Sequence, residues 1–187
     1  MNLLILGPQG SGKGTQSKLL CERFSLYDFD MGRIFRDLAD TRPEIKEYMD
    51  RGELVPDDTV YEVATTHLRK INRYDGIAFD GFPRSRVQFH ALKDVLEDKG
   101  FGVSLALFVN IPREESIKRL TARQEKEGRD DDTPGAIEKR LARYEKITKP
   151  LLEELSEMGL LEEVNGMGDV GAIHENIVKV LEARALI

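Results

Sequence analysis

Tryptophan is absent from this chain, and cysteine occurs once, as Cys21. A lone thiol closes no internal disulfide, so Cys21 reads as core filling in the first helix. Only three histidines occur, His67, His90 and His174, and they are scattered. They support no Ser-His-Asp or Cys-His arrangement and no metal-ligand cluster, and all three read as surface or packing residues. No apolar run approaches a membrane span, and the apolar start at residues 2–6 is too short for a signal peptide. Basic residues are not in excess: 28 Lys and Arg stand against 34 Asp and Glu, a formal charge of −6. That balance argues against a broad nucleic-acid or acidic-membrane surface. Repeats, low-complexity tracts and Ser/Pro linkers are missing too. What remains is one globular domain of 187 residues, 40% hydrophobic, with a cytoplasmic location as the default.

What is present alternates. Strand candidates are residues 2–6, 26–29, 76–80, 103–109 and 160–164. Helical patterns fall between them, at about 13–24, 32–40, 43–50, 57–72, 86–99, 113–125, 134–157 and 170–184. This alternation predicts an α/β fold of the three-layer P-loop type, a five-stranded parallel sheet with helices on both faces. Asp57 or Asp58 and Asp169 are expected as N-caps, and Thr133-Pro134 as N-cap plus first helical residue. The charged stretch 124–128 (QEKEG) reads as a solvated loop.

The first chemical motif is GPQGSGKGT, residues 7–15, placed between the first strand and the first helix. Gly7, Gly10, Gly12 and Gly14 are expected to give positive φ and close backbone approach, so that successive N–H groups and the helix N-terminus cradle an anion. Lys13 adds a mobile charge for terminal phosphates. Gly14 stands where such loops usually carry Ser or Thr, with Thr15 one place later. A magnesium ion is then expected to keep more of its waters.

The second motif is IAFDGFPRS, residues 77–85. Asp80 ends an apolar strand where a carboxylate can order Mg²⁺ and its waters, and Arg84 projects from the same edge. Third comes an arginine set: Arg119 and Arg123, then Arg129, then Arg140 and Arg143. Arginine forks match phosphate oxygens two at a time. Transfer between phosphates needs alignment, charge neutralisation and dryness rather than a protein nucleophile, and these residues supply those.

In their order along the chain these motifs resemble the nucleoside-monophosphate kinases, the adenylate kinases in particular. The resemblance rests on GPQGSGKGT, Gly32 with Arg36, GELVPDDTV (52–60), DGFPRSRVQ (80–88), Arg119 and Arg123, GRDDD (128–132) and KRLARYEKITKPL (139–151). It implies reversible transfer of the γ-phosphoryl of Mg·ATP to AMP by a monomeric enzyme. Gly10, Ser11, Gly12, Lys13, Gly14 and Thr15 would bind ATP, with Arg119 stacked on its adenine and Arg123 on its phosphates. Met31, Gly32, Arg36, Leu54, Val55, Gly81, Arg84 and Gln88 would hold the monophosphate, with Gln88 reading its base. Arg123, Arg129, Arg140 and Arg143 would span both phosphate chains, and Asp80 would hold Mg²⁺ through water.

The resemblance also divides the chain. It gives a core of 1–29, 57–119 and 133–187, a monophosphate-binding lobe at 30–56 and a short lid at 120–132 whose lack of cysteine leaves no place for zinc. Where the family usually reads Thr-Gly-Asp, this chain has Met31-Gly32-Arg33. That departure opens CMP or UMP as a second acceptor, while Gln88, favouring a purine with an amino group, keeps AMP first. Asp30 stands nearby as a replacement for the missing acidic residue. A nucleotide-binding module with weakened catalysis is the alternative of another class.

Overall fold

The computed structural model describes the chain apart from residue 52, residues 72–75, residues 129–132 and the side chain of residue 127. Five parallel strands form one sheet in the order β2-β3-β1-β4-β5, with β1 at Asn2–Leu6, β2 at Tyr27–Asp30, β3 at Ile77–Asp80, β4 at Leu105–Asn110 and β5 at Leu161–Asn165. The helices are α1 (Lys13–Phe24), α2 (Met31–Leu38), α3 (Pro43–Asp50), α4 (Asp57–Lys70), α5 (Arg86–Glu97), α6 (Arg113–Glu127), α7 (Pro134–Arg143), α8 (Lys149–Glu157) and α9 (Val170–Ala183). Each predicted strand is present within two residues of its expected bounds.

The apolar run of β1 is buried along its whole length because helices cover both sheet faces. Leu4 and Leu6 join one core with Phe29, Phe79, Phe89 and Leu155. Leu3 and Ile5, pointing the other way, join a second core with Leu20, Val109, Val164 and Ile177. Cys21 packs against this second core as expected. Burial, with Asp28 nearby, pushes its thiol up to about 11, so it stays protonated.

The strand order fixes where a ligand belongs. β1 lies between β3 and β4, so the connections leaving it diverge at the carboxyl edge. A crevice opens at such a point. Gly7 follows β1 there, and Asp80, paired in register with Ile5, ends β3 beside it.

Three local expectations are corrected. Residues 134–157 do not form one α-helix, because a π-helical turn at Tyr144–Thr148 separates α7 from α8. Pro150 explains the widening: it has no N–H to give to an α-helical partner, and its ring would press on the carbonyl four residues back. Asp57 is the first residue of α4 rather than its cap; Pro56 holds the cap position, with no side-chain bond. The stretch 124–128 is not a loop, since α6 runs through Glu127 and ends on Gly128 at φ 63. The Asp169 cap is present, accepting from the Gly171 and Ala172 amides. Thr133 and Pro134 occupy the expected positions without a side-chain cap bond.

Candidate active site

The loop after β1 takes positive φ at Gly7, Gly10 and Gly12, with Gly12 the left-handed cap of α1. No side chain caps α1 there, so its first N–H groups remain for an anion. Gly14 departs from expectation. It lies within α1 with ordinary helical φ, and its role is space: a Cβ there would stand 3.0 Å from Asp80 Oδ2. The Ser11 hydroxyl is buried with no partner among the described residues, and a Cβ on Gly7 would come within 2.8 Å of it. Ser11 therefore turns its side chain under the loop.

Above the loop lies a cavity of about 660 Å³. Lys13, Arg36, Arg84, Arg123 and Arg140 line it together with Asp30, Asp80, Thr15 and the loop glycines. Lys13 Nζ donates to the Pro8 carbonyl at 3.1 Å, folding the side chain back over the loop. Burial lowers the Lys13 pKa to about 8; Asp80 opposes the shift, while Arg84, Arg140 and Arg123 add to it. Arg84 is anchored by Nε donating to the Gly81 carbonyl at 2.8 Å. Burial and then Arg140 hold its pKa below the usual guanidinium value. Asp80 is pushed above the usual carboxylate range, first by burial and also by Asp30 and Asp28, with Lys13 pulling the other way. The balance is a pocket of excess positive charge, in which buried Lys13 and Arg84 are each less comfortable charged than they would be alone. A polyanion relieves that condition.

A second cavity of about 420 Å³ adjoins the first, sharing Gly32, Arg36, Gly81, Arg84 and Arg140 with it. Its apolar wall is Met31, Phe35, Met49, Leu54, Val55 and Val60, and Gln88 lines it too. Gln88 is 5% exposed, and its amide is engaged at both ends. Oε1 accepts from the Arg84 amide at 2.7 Å, and Nε2 donates to Asp57 Oδ1 at 2.7 Å. Arg143 also borders this cavity.

Arg119 sits at the rim rather than in either cavity. Its guanidinium donates to Glu115 at 2.6 Å, to the Gly166 carbonyl at 3.2 Å and, more weakly, to the Gly10 carbonyl at 3.5 Å. Arg33 turns away from the cluster: Nη1 and Nη2 donate to the side chain and carbonyl of Asp28, at 2.8 and 2.7 Å. Asp30 caps α2 by accepting from the Arg33 amide, and its other oxygen lies 3.7 Å from Arg36. A carboxylate thus stands beside Arg36 after all, supplied from one residue before α2. Arg129 and the rest of 129–132 lie outside the described residues.

A sequence model of the family described as adenylate kinase matches residues 5–160. The chain belongs to the adenylate kinase family. A Bifidobacterium longum adenylate kinase is 40% identical over 186 residues, spanning 97% of this chain and 100% of the relative. One from Phocaeicola vulgatus is 36% identical over 97% of this chain and 98% of its own. One from Dehalococcoides mccartyi is 33% identical over 214 aligned positions, again 97% and 98%.

Adenylate kinases are phosphotransferases, and membership makes this chain an enzyme of that class. The pyrimidine-monophosphate alternative prompted by Met31 is not favoured, because these relatives are named for adenylate. Met31 is 2% exposed and supports the wall of the second cavity, so its side chain is committed to packing. The reading of a binding module with weakened catalysis loses its motive, since Arg33 is paired with Asp28 away from the other cations.

Sequence reasoning passed over Tyr144 and Thr148, which line both cavities. Pro150 two places after Thr148 was the available signal, because a proline inside a helical pattern marks a break. It also missed the bond between Asp57 and Gln88, for which no local pattern exists.

Proposed function

We propose that the protein reversibly transfers the γ-phosphoryl of Mg·ATP to AMP, giving two ADP. The observation that carries this reading is the convergence of Lys13, Arg36, Arg84, Arg123 and Arg140 on one cavity that adjoins a second cavity with an apolar wall.

In this reading the loop from Gly10 to Thr15 and Lys13 hold the ATP phosphates. Arg119, its guanidinium edge tied by hydrogen bonds, offers a flat face to the adenine of ATP. Arg36 and Arg84 grip the AMP phosphate. Leu54, Val55 and Met31 flank the AMP base, with Gln88 at its edge, and Gly32 and Gly81 let the ester approach. Arg123, Arg129, Arg140 and Arg143 span the two phosphate chains. An oxygen of the AMP phosphate attacks the γ-phosphorus while the bond from that phosphorus to the β-bridging oxygen breaks. The cations neutralise charge throughout, and no protein nucleophile takes part.

Asp80 suits a magnesium ion carried by the triphosphate. It is a buried carboxylate beside the loop whose pKa burial holds above the usual carboxylate range, so a further cation nearby stabilises its charged form. Among the described residues no cluster of three or more His, Cys, Asp or Glu forms a protein-only metal site, which suits an ion bound mainly by phosphate and water. When bound, that ion withdraws charge from the phosphates being transferred.

Residues 30–56 act as the monophosphate lobe and 120–132 as a short lid around the core, and their closure expels water so that transfer outruns hydrolysis. The enzyme works as a cytoplasmic monomer. No described helix is long and apolar enough to cross a membrane.

The test is diphosphate formation from Mg·ATP with AMP, CMP, UMP, GMP and dTMP offered separately. AMP is expected far ahead of the rest. A pyrimidine ahead of AMP, or ATP binding with no transfer to any acceptor, overturns the proposal.

A further inference from the structure

The Gln88 amide can discriminate between bases only if its oxygen and nitrogen are held in a known order, because a flipped amide exchanges donor for acceptor. Backbone geometry settles one end: the Arg84 amide N–H, on the exit from β3, points at Oε1 from 2.7 Å. The other end is settled by a residue 31 positions earlier in the chain. Asp57, at the start of α4, accepts from Nε2 at 2.7 Å.

We infer that Asp57 is a specificity-determining positioning residue, which locks the Gln88 amide so that its free oxygen lone pair and free N–H face the base pocket as acceptor and donor. The inference rests on the proposed reading of Gln88 as the base-facing residue.

Two features separate this role from ordinary helix capping. Asp57 is the first helical residue of α4 rather than its cap, its carboxylate accepts from Gln88, and Asp58 follows it to complement the helix dipole. The Gln88 side chain is buried, so solvent cannot take over the Asp57 bond freely. A flipped amide would set Nε2 against the Arg84 N–H and Oε1 against the Asp57 carboxylate. Both bonds would be lost and two like-with-like contacts made.

With the order held, each end of the amide retains capacity. Oε1 has a second lone pair, and Nε2 has a second hydrogen. A base presenting an amino group beside an unprotonated ring nitrogen matches that pair. A base presenting a carbonyl beside a ring N–H presents the reverse pattern and leaves both ends mismatched. AMP and IMP differ at just this edge while sharing ribose, phosphate and ring size, so their ratio reads the lock directly.

The experiment measures kcat/KM for AMP and for IMP with Mg·ATP, in the full chain and in Asp57→Ala, Asp57→Ser, Asp57→Asn and Gln88→Leu, with thermal melts alongside. Asp57→Ala and Asp57→Ser are expected to reduce the AMP-to-IMP ratio by about tenfold, with IMP turnover unchanged or raised. Asn keeps an oxygen able to accept the same bond, so Asp57→Asn is expected to stay within about threefold of the parent ratio. Gln88→Leu is expected to lower the ratio at least as far as Asp57→Ala.

Asp57→Ala lowering both substrates alike, with the ratio kept, makes Asp57 merely structural and overturns the inference. Serine keeps a helix-compatible polar group too short to reach Gln88, so Asp57→Ser decides the same question if the alanine variant does not fold. Gln88→Leu lowering the ratio while Asp57→Ala and Asp57→Ser both preserve it also overturns the inference and leaves the reading of Gln88 standing. A ratio unmoved by Gln88→Leu removes that reading itself.

Discussion

The Thr148 hydroxyl donates to the Arg84 carbonyl at 3.0 Å, joining the π-helical turn to the exit of β3. The Arg84 amide is held on its other side by Gln88. The backbone that aims the Arg84 guanidinium is thus gripped by side chains from two helical segments, more than sixty residues apart in one case.

Thr148→Val keeps the shape and the β-branch but removes the donor to Arg84. Loss of one net hydrogen bond is expected to cost about 1 kcal/mol. That corresponds to a fall in Tm of about 2–4 °C for a chain of this size. The larger effect is expected on kcat, about tenfold down, because a small error in the aim of Arg84 weakens alignment of the transferring group. Thermal melts and steady-state kinetics on the same preparation check both. A change in Tm without a change in kcat detaches the Thr148 bond from catalysis.

Lys13 makes a prediction about protons. Its pKa in the folded protein is lowered to about 8, against an ordinary 10.5, chiefly by burial. Below pH 8 the side chain is charged in both folded and unfolded chains, and the folded state bears the cost of burying it. Between pH 8 and 10.5 the unfolded chain keeps a proton that the folded one has released, so the Lys13 contribution to stability rises with pH across that window. Binding of a polyphosphate restores the charged form. ATP is therefore expected to bring about half a proton with it at pH 8, and its affinity to weaken as pH rises beyond that point. Titration calorimetry in buffers of differing ionisation enthalpy measures the uptake. Lys13→Met is expected to abolish it, to cut turnover by orders of magnitude, and to leave the Tm of the unliganded protein at pH 7 equal or higher.

Gly14→Ser would install the residue type that phosphate loops more often carry at this place. Here it is expected to harm rather than help. A Cβ at position 14 falls 3.0 Å from Asp80 Oδ2, so either the carboxylate or the start of α1 must give way. Expected is a loss in kcat of about tenfold with the fold retained, since the contact lies at the proposed magnesium side of the site. Kinetics across a magnesium titration tests this, and activity at or above the parent level removes Gly14 as a spatial requirement.

Local chemistry sufficed for much of this protein. The NLLIL run, buried on both faces, and the change to helical spacing after Lys13 marked a parallel strand feeding a phosphate loop, because those patterns need only neighbours along the chain. The same holds for the carboxylate ending β3 and for the arginines in their spacing.

Other features depend on residues that the chain brings together from afar. Whether Arg33 opposes the phosphate site turned on Asp28, which stands at the right height on β2 to draw its guanidinium away. Gly14 read as a source of backbone freedom until Asp80 appeared beside it. The orientation of the Gln88 amide and the grip on Arg84 follow from contacts between α4, α5 and the segment after α7. A sequence pattern records which face of an element is apolar. The partner of a polar atom on that face is set only when the elements pack, since hydrogen bonds reach about 3 Å and discriminate by direction.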